Sequence, residues 1–104
     1  MLSNGKGIVT QLDSSWRNIL SASELTGEVT YRIQKLIVRL DAIGDKIFVS
    51  TLKGHEILIE CLKITERFKS EQNKPDSALR LLTRLENHMD DLVKKTHDFR
   101  IKAG

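Results

Sequence analysis

The fold is decided by residues 29–68, which read VTYRIQKLIVRLDAIGDKIFVSTLKGHEILIECLKITERF. Apolar residues recur through this stretch at alternating intervals of four and three, the spacing of a coiled-coil seam. In the first half, the seam is a candidate for the core or for self-association and consists of Val29, Ile33, Leu36, Leu40, Ile43 and Ile47. The same phase passes through Ser50 and Gly54 and then resumes with Ile57, Cys61, Ile64 and Phe68. The spacing predicts a helical segment with one weak, small-residue patch near its middle.

Residues 46–62 also allow a β-hairpin, because β-branched residues flank a turn at Lys53 and Gly54. Helix is favoured there, since the heptad phase persists and strict alternation of apolar and polar residues does not occur. A continuous helix over residues 29–70 would be about 63 Å long, and no other segment is long enough to cover it. We therefore expect the long segment to be kinked or broken near Gly54, within residues 50–55.

Two further segments show helical spacing. The first starts at Gly7, runs for about three turns and carries Trp16 as its large anchor. A break at residues 21–27 follows, in which Thr26 is placed to cap the next helix. Pro75 ends the third segment, and a last helix extends to about residue 102. Its seam is Ala78, Leu82, Leu85, Met89, Leu92, Thr96 and Phe99.

These segments predict an all-α fold, an antiparallel helical bundle of three to four helices. We expect one domain over residues 1–104, with frayed ends at about 1–6 and 103–104. Hydrophobic residues make up 39% of the chain and aromatic residues 5%, so the core of such a small domain is thin. The residues predicted to form it include Trp16, Leu36, Leu40, Leu85 and Leu92.

The net charge, the single cysteine and the short apolar runs limit the partners and the compartment that we expect for this protein. A net charge of +3 permits binding to nucleic acid without requiring it. Cys61 is the only cysteine and lies on the seam, which predicts a buried thiol and favours the cytoplasm or another reducing intracellular compartment. No apolar run is longer than three residues, so we expect neither a membrane span nor a signal peptide.

Catalytic and metal-binding motifs are missing from the sequence. His55 and Glu56 begin a zinc-protease pattern, but Ile59 stands where the second histidine is needed. His88 and His97 are nine residues apart, too far to chelate one metal from a straight helix. A single cysteine excludes cysteine-based zinc motifs. The sequence therefore predicts no enzyme, and no catalytic, cofactor-binding or metal-binding residues and no small-molecule substrate.

Five basic residues form a second pattern, which we name the basic rail: Arg32, Lys35, Arg39, Lys46 and Lys53. Their intervals of three, four, seven and seven place them on one flank of the second helix if that helix is straight. A rail of this kind could follow the phosphates of a double-stranded RNA or DNA by shape, without reading the base sequence. The alternative interpretation is an ordinary coiled-coil flank, whose Lys and Arg stems cover the edge of the core.

The leading hypothesis for function is a non-enzymatic helical interaction module. The thin core and the long second segment favour self-association, most simply as a two-fold homodimer, or binding to a protein partner. The alternative is sequence-independent binding of double-stranded RNA, or DNA, through the basic rail. The two hypotheses differ in salt dependence, because contacts with phosphates weaken steeply as salt rises.

Overall fold

A computed structural model of the chain describes residues 5–22, 24–43 and 52–103, and their side chains from residue 7 to residue 95. These residues form four helices: α1 (Gly5–Ala22), α2 (Gly27–Ile43), α3 (Leu52–Glu71) and α4 (Pro75–Ala103). All regular structure within the described ranges is helical, so the all-α prediction is confirmed. Over these same ranges, none of the helices has the length and hydropathy that a transmembrane span requires.

The first helix is longer than its apolar spacing predicts. α1 has 18 residues, which is about five turns rather than three. It includes Ser21, whose hydroxyl donates a hydrogen bond to the carbonyl of Asn18 at 3.2 Å, so the break begins later than residue 21. The predicted cap of α2 is confirmed, because the Thr26 hydroxyl accepts a hydrogen bond from the backbone N–H of Val29 at 3.3 Å.

The long second segment is divided between α2 and α3. α2 is described as far as Ile43 and α3 begins at Leu52. Gly54 is buried in the first turn of α3, and the kink or break expected near it stays a prediction. Residues 44–51, which include Lys46, Ile47 and the first part of the predicted break, lie outside the described residues. In the region that could have formed a hairpin, residues 52–62 are helical.

The predicted seam lies in the core. Val29, Ile33, Leu36, Leu40 and Ile43 of α2 are all buried. The predicted core members of the other helices are buried with them: Trp16, Leu85 and Leu92. Residues of α1 and α3 complete this single hydrophobic cluster. Burial of this apolar surface is the main favourable contribution to folding.

A buried polar contact joins α1 to α3. The indole N–H of Trp16 donates a hydrogen bond to the Thr65 hydroxyl at 3.0 Å, and that hydroxyl donates to the carbonyl of Cys61 at 2.8 Å. The rings of Trp16 and Phe68 lie beside this contact, with centroids 4.9 Å apart and an interplanar angle of 56°. The one polar group that the large indole ring brings into the core is therefore satisfied.

Each helix packs against two others. α1 contacts α2 and α3, and α4 contacts the same two helices. The longest dimension of the molecule is 44 Å, well short of the 63 Å or so that one continuous second helix would span. α2 consequently has α1 along one flank, α4 along the other and the core beneath it.

A candidate interaction surface on α2

The flank of α2 that faces α4 is held by a two-point ion pair. The guanidinium of Arg32 donates to both carboxylate oxygens of Glu86, from Nε at 2.9 Å and from Nη2 at 2.6 Å. Nη2 also donates to the Thr83 hydroxyl at 3.0 Å. Hydrogen bonding to this guanidinium lowers the pKa of Glu86, and the same bond raises the pKa of Arg32. Such a paired geometry fixes the register of α2 on α4.

A second ion pair lies two turns further along the same flank. Nη1 of Arg39 is 2.7 Å from Oδ1 of Asp90. Lys35, between the two arginines, forms no salt bridge among the described residues, and its ammonium lies 5.2 Å from the centroid of the Tyr31 ring. These side chains border a shallow groove of about 220 Å³ between α2 and α4.

The basic rail is therefore only partly assembled. The structure brings Arg32, Lys35 and Arg39 together on α2, but the two arginines are bound by carboxylates of α4. Lys53 lies on α3 and lines a different groove, between α3 and α4. Lys46 lies outside the described residues. Lys53 thus lies on a different helix from Arg32, Lys35 and Arg39, and a binding role for the basic rail stays a prediction.

The opposite flank of α2 is tied to α1. Nη2 of Arg17 is 3.1 Å from Oδ2 of Asp41, and Nε of the same guanidinium is 2.7 Å from Oδ1 of Asp13. A hydrogen bond with the Asp13 carboxyl raises the pKa of Asp41, against the opposing effect of Arg17. Both flanks of α2 are thus joined to neighbouring helices by charged side chains.

Between these flanks lies a stripe that we name the outer face of α2. It consists of residues at intervals of four, three and four, all of them exposed: Tyr31, Lys35, Val38 and Ala42. Tyr31 is 59% exposed and Val38 67%. Tyr31 is nine residues from the buried Leu40, which at 3.6 residues per turn places the two on opposite sides of the helix. The outer face therefore carries apolar side chains where a surface helix normally carries polar ones.

Sequence reasoning missed the outer face. The signal was present, since Tyr31 and Val38 are seven residues apart and share a face, as do Lys35 and Ala42. In a helix with apolar residues on two opposite sides, one side packs into the core of the domain and the other side is left for a different contact. Val29, Ile33, Leu36, Leu40 and Ile43 of the seam, which the sequence predicted as core or as a self-association surface, are buried.

Cys61 and His88 are two reactive side chains that lie away from α2. Burial raises the pKa of the Cys61 thiol to about 12, so the thiolate needed for nucleophilic attack is not populated near neutral pH. His88 is half-buried and lines the same groove between α3 and α4 as Glu60 and Asp91. Among the residues that the structure describes, no three His, Cys, Asp or Glu side chains are grouped so as to hold a metal ion.

Comparison with known proteins found no matching family model, no matching curated protein and no matching solved structure.

Proposed function

We propose that this protein is a non-enzymatic interaction module that associates through the outer face of α2, with a second copy of itself or with a protein partner. The observation that carries the proposal is the exposure of Tyr31 and Val38, two turns apart on one side of a helix whose other side is buried. Anchors spaced by seven residues are typical of helices that lie in the groove of a partner.

The energetic reason is the cost of leaving these side chains in water. Burying an apolar side chain of this size contributes about 1.5–3 kcal/mol, so covering Tyr31 and Val38 together favours association. Because ion pairs of Arg39 and Arg17 join α2 to α4 and α1, the helix is held in place before a partner binds. A surface that needs little ordering loses less entropy on binding.

We also propose that the four helices form a bundle of two helical hairpins, α1–α2 and α3–α4. Arg32 contacts Glu86, and Arg39, further along α2, contacts Asp90, further along α4. This order supports a parallel arrangement of α2 and α4. Short connections favour antiparallel neighbours within each hairpin. The buried, unpaired Cys61 is compatible with the cytoplasm or another reducing compartment.

Sedimentation equilibrium over a range of concentrations tests self-association through this face. The variant Tyr31→Ser/Val38→Ser removes both anchors, and Gln11→Ser/Asn18→Ser is a matched control with the same spacing on the exposed side of α1. We expect the average mass of the wild type and the control to rise towards that of a dimer, and the mass of the Tyr31 and Val38 variant to stay that of a monomer. Equal association of all three proteins would contradict the assigned face.

The alternative hypothesis, sequence-independent binding of double-stranded RNA through the basic rail, stays a prediction. Lys35 and Lys53 are exposed, which supports it. The ion pairs of Arg32 and Arg39 weigh against it, because each guanidinium would have to leave a carboxylate in order to bind a phosphate.

A further inference from the structure

We propose that a pocket at one end of the bundle binds a small organic cation, an amine carried on an apolar body. The pocket has a volume of about 360 Å³ and is lined by residues just before and after the start of α2 and of α4. This volume lies at the lower end of the range for sites that hold small molecules. The pocket is separate from the outer face of α2, so this inference is independent of the proposed function.

The floor of the pocket is apolar and is held in place by the fold. Its apolar side chains come from both halves of the chain: Leu25, Val29, Pro75, Ala78 and Leu79. Val29 and Ala78 are buried, and Leu25 and Leu79 pack against the hydrophobic core. An apolar group can therefore be buried there with little ordering of the protein.

Two carboxylates give the rim of the pocket its charge. Glu24 and Glu28 line it, are exposed, and form no salt bridge among the described residues. Glu28 acts on Arg32 at longer range, and that guanidinium is bound by Glu86. The lining contains no lysine, arginine or histidine, whereas cations and carboxylates together line the groove between α3 and α4 and the groove between α2 and α4. The pocket thus presents negative charge without an ion-paired partner.

The charges around the pocket favour a cation over an anion. α2 and α4 both begin here, and the N-terminus of each helix carries roughly half a positive charge. The two carboxylates outweigh these two N-termini by about one negative charge. Lys74 and Asp76 flank Pro75 outside the lining and have opposite charges. A protonated amine fits this rim, and a body broader than a lysine stem fills the apolar floor better.

An NMR titration that follows the backbone amide signals tests the site, with phenethylammonium as the probe. We expect saturable shifts at Leu25, Val29, Ala78 and Leu79, because these residues line the floor. Phenethyl alcohol has nearly the same shape without the charge and should bind more weakly. Hydrocinnamate, an anion with the same ring, should bind more weakly still. Butylammonium reproduces the stem and charge of a lysine and should also bind more weakly than the probe.

The variant Glu24→Gln/Glu28→Gln removes both charges and keeps the shape of the side chains. It should weaken binding of phenethylammonium between about twofold and thirtyfold, as expected for the loss of two exposed ion pairs. Glu56→Gln/Glu60→Gln is the matched control, because these exposed glutamates have the same spacing and line the groove between α3 and α4. The control should bind the probe like the wild type. If the double variant does not fold, Glu24→Gln alone, which leaves α2 unchanged, replaces it.

Each other outcome overturns the proposal. Equal binding of phenethyl alcohol, or an equal loss in the control variant, would mean that the two carboxylates do not recognise the amine. Tighter binding of hydrocinnamate would mean that the helix N-termini dominate and that the pocket takes an anion. Equal binding of butylammonium would mean that the pocket takes a lysine side chain of a partner. Shifts that do not saturate would mean that no defined site exists.

Discussion

The indole N–H of Trp16 and the hydroxyl of Thr65 form a buried hydrogen bond of 3.0 Å between residues 49 positions apart in the chain. Both side chains are almost completely inaccessible to water. The bond therefore fixes how α1 lies on α3 within the core.

Replacing Thr65 with Val should destabilise the protein by about 1–3 kcal/mol, because the near-isosteric change leaves the Trp16 N–H without an acceptor. Urea denaturation measures the loss. The control is a double-mutant cycle with Trp16→Phe, which removes the donor. Thr65→Val should cost less in the Trp16→Phe background than in the wild type, and equal costs in both backgrounds would show that the hydrogen bond contributes nothing.

Truncating a side chain should destabilise the protein on the buried side of α2 and have little effect on the outer face. Leu40 is 1% exposed, and Leu40→Ala should lower the free energy of unfolding by about 2–5 kcal/mol through lost burial and a cavity. Val38 is 67% exposed, and Val38→Ala should change it by no more than about 0.5 kcal/mol. Thermal and urea unfolding of both variants at low concentration, where the monomer dominates, compare the two. Similar losses would mean that the inner and outer faces are wrongly assigned.

The pairing of Glu86 with Arg32 should make stability depend on pH. The pKa of Glu86 is lowered by that hydrogen bond, so the folded state binds fewer protons than the unfolded state near the ordinary glutamate value. The stabilisation is present above that value and is lost as the pH falls through the folded-state pKa. Glu86→Gln should cost about 1 kcal/mol at pH 7 and progressively less towards pH 3, as measured by urea midpoints. A cost that does not change with pH would contradict the ion pair.

Asp41 should show the reverse pH dependence. Its pKa is raised by the hydrogen bond with Asp13, so the stabilisation is present below the ordinary aspartate value and is lost as the pH rises through the folded-state pKa. Asp41→Asn retains a donor for the Asp13 carboxylate at every pH. The variant should therefore be at least as stable as the wild type at pH 7, and its advantage should vanish in acid. A variant less stable than the wild type at pH 7 would mean that the contact with Arg17 dominates instead.

Sequence periodicity located one side of α2 and could not locate the other features of this helix. The buried side follows from the regular spacing of Val29, Ile33 and Leu36, because a period near 3.6 places them on one stripe. The partners of Arg32 and Arg39 lie more than 50 residues away on α4, and no local pattern specifies such contacts. Lys53 joined the predicted rail because its heptad phase assumes one straight helix, whereas Lys53 lies on α3 and the other described members lie on α2.

Duplex RNA binding is the remaining prediction about the rail. Because the guanidinium of Arg32 makes three hydrogen bonds to α4 and Arg39 is 2.7 Å from Asp90, we expect the wild type to give no gel shift with duplex RNA at low salt. The variant Arg32→Ala/Lys35→Ala/Arg39→Ala should lose stability in urea, since it removes contacts between helices. Lys35→Ala alone is the control and should unfold like the wild type. A wild type that binds, with an affinity that falls steeply as salt rises and with a flatter salt dependence in the triple variant, would instead support the rail as a phosphate-binding surface.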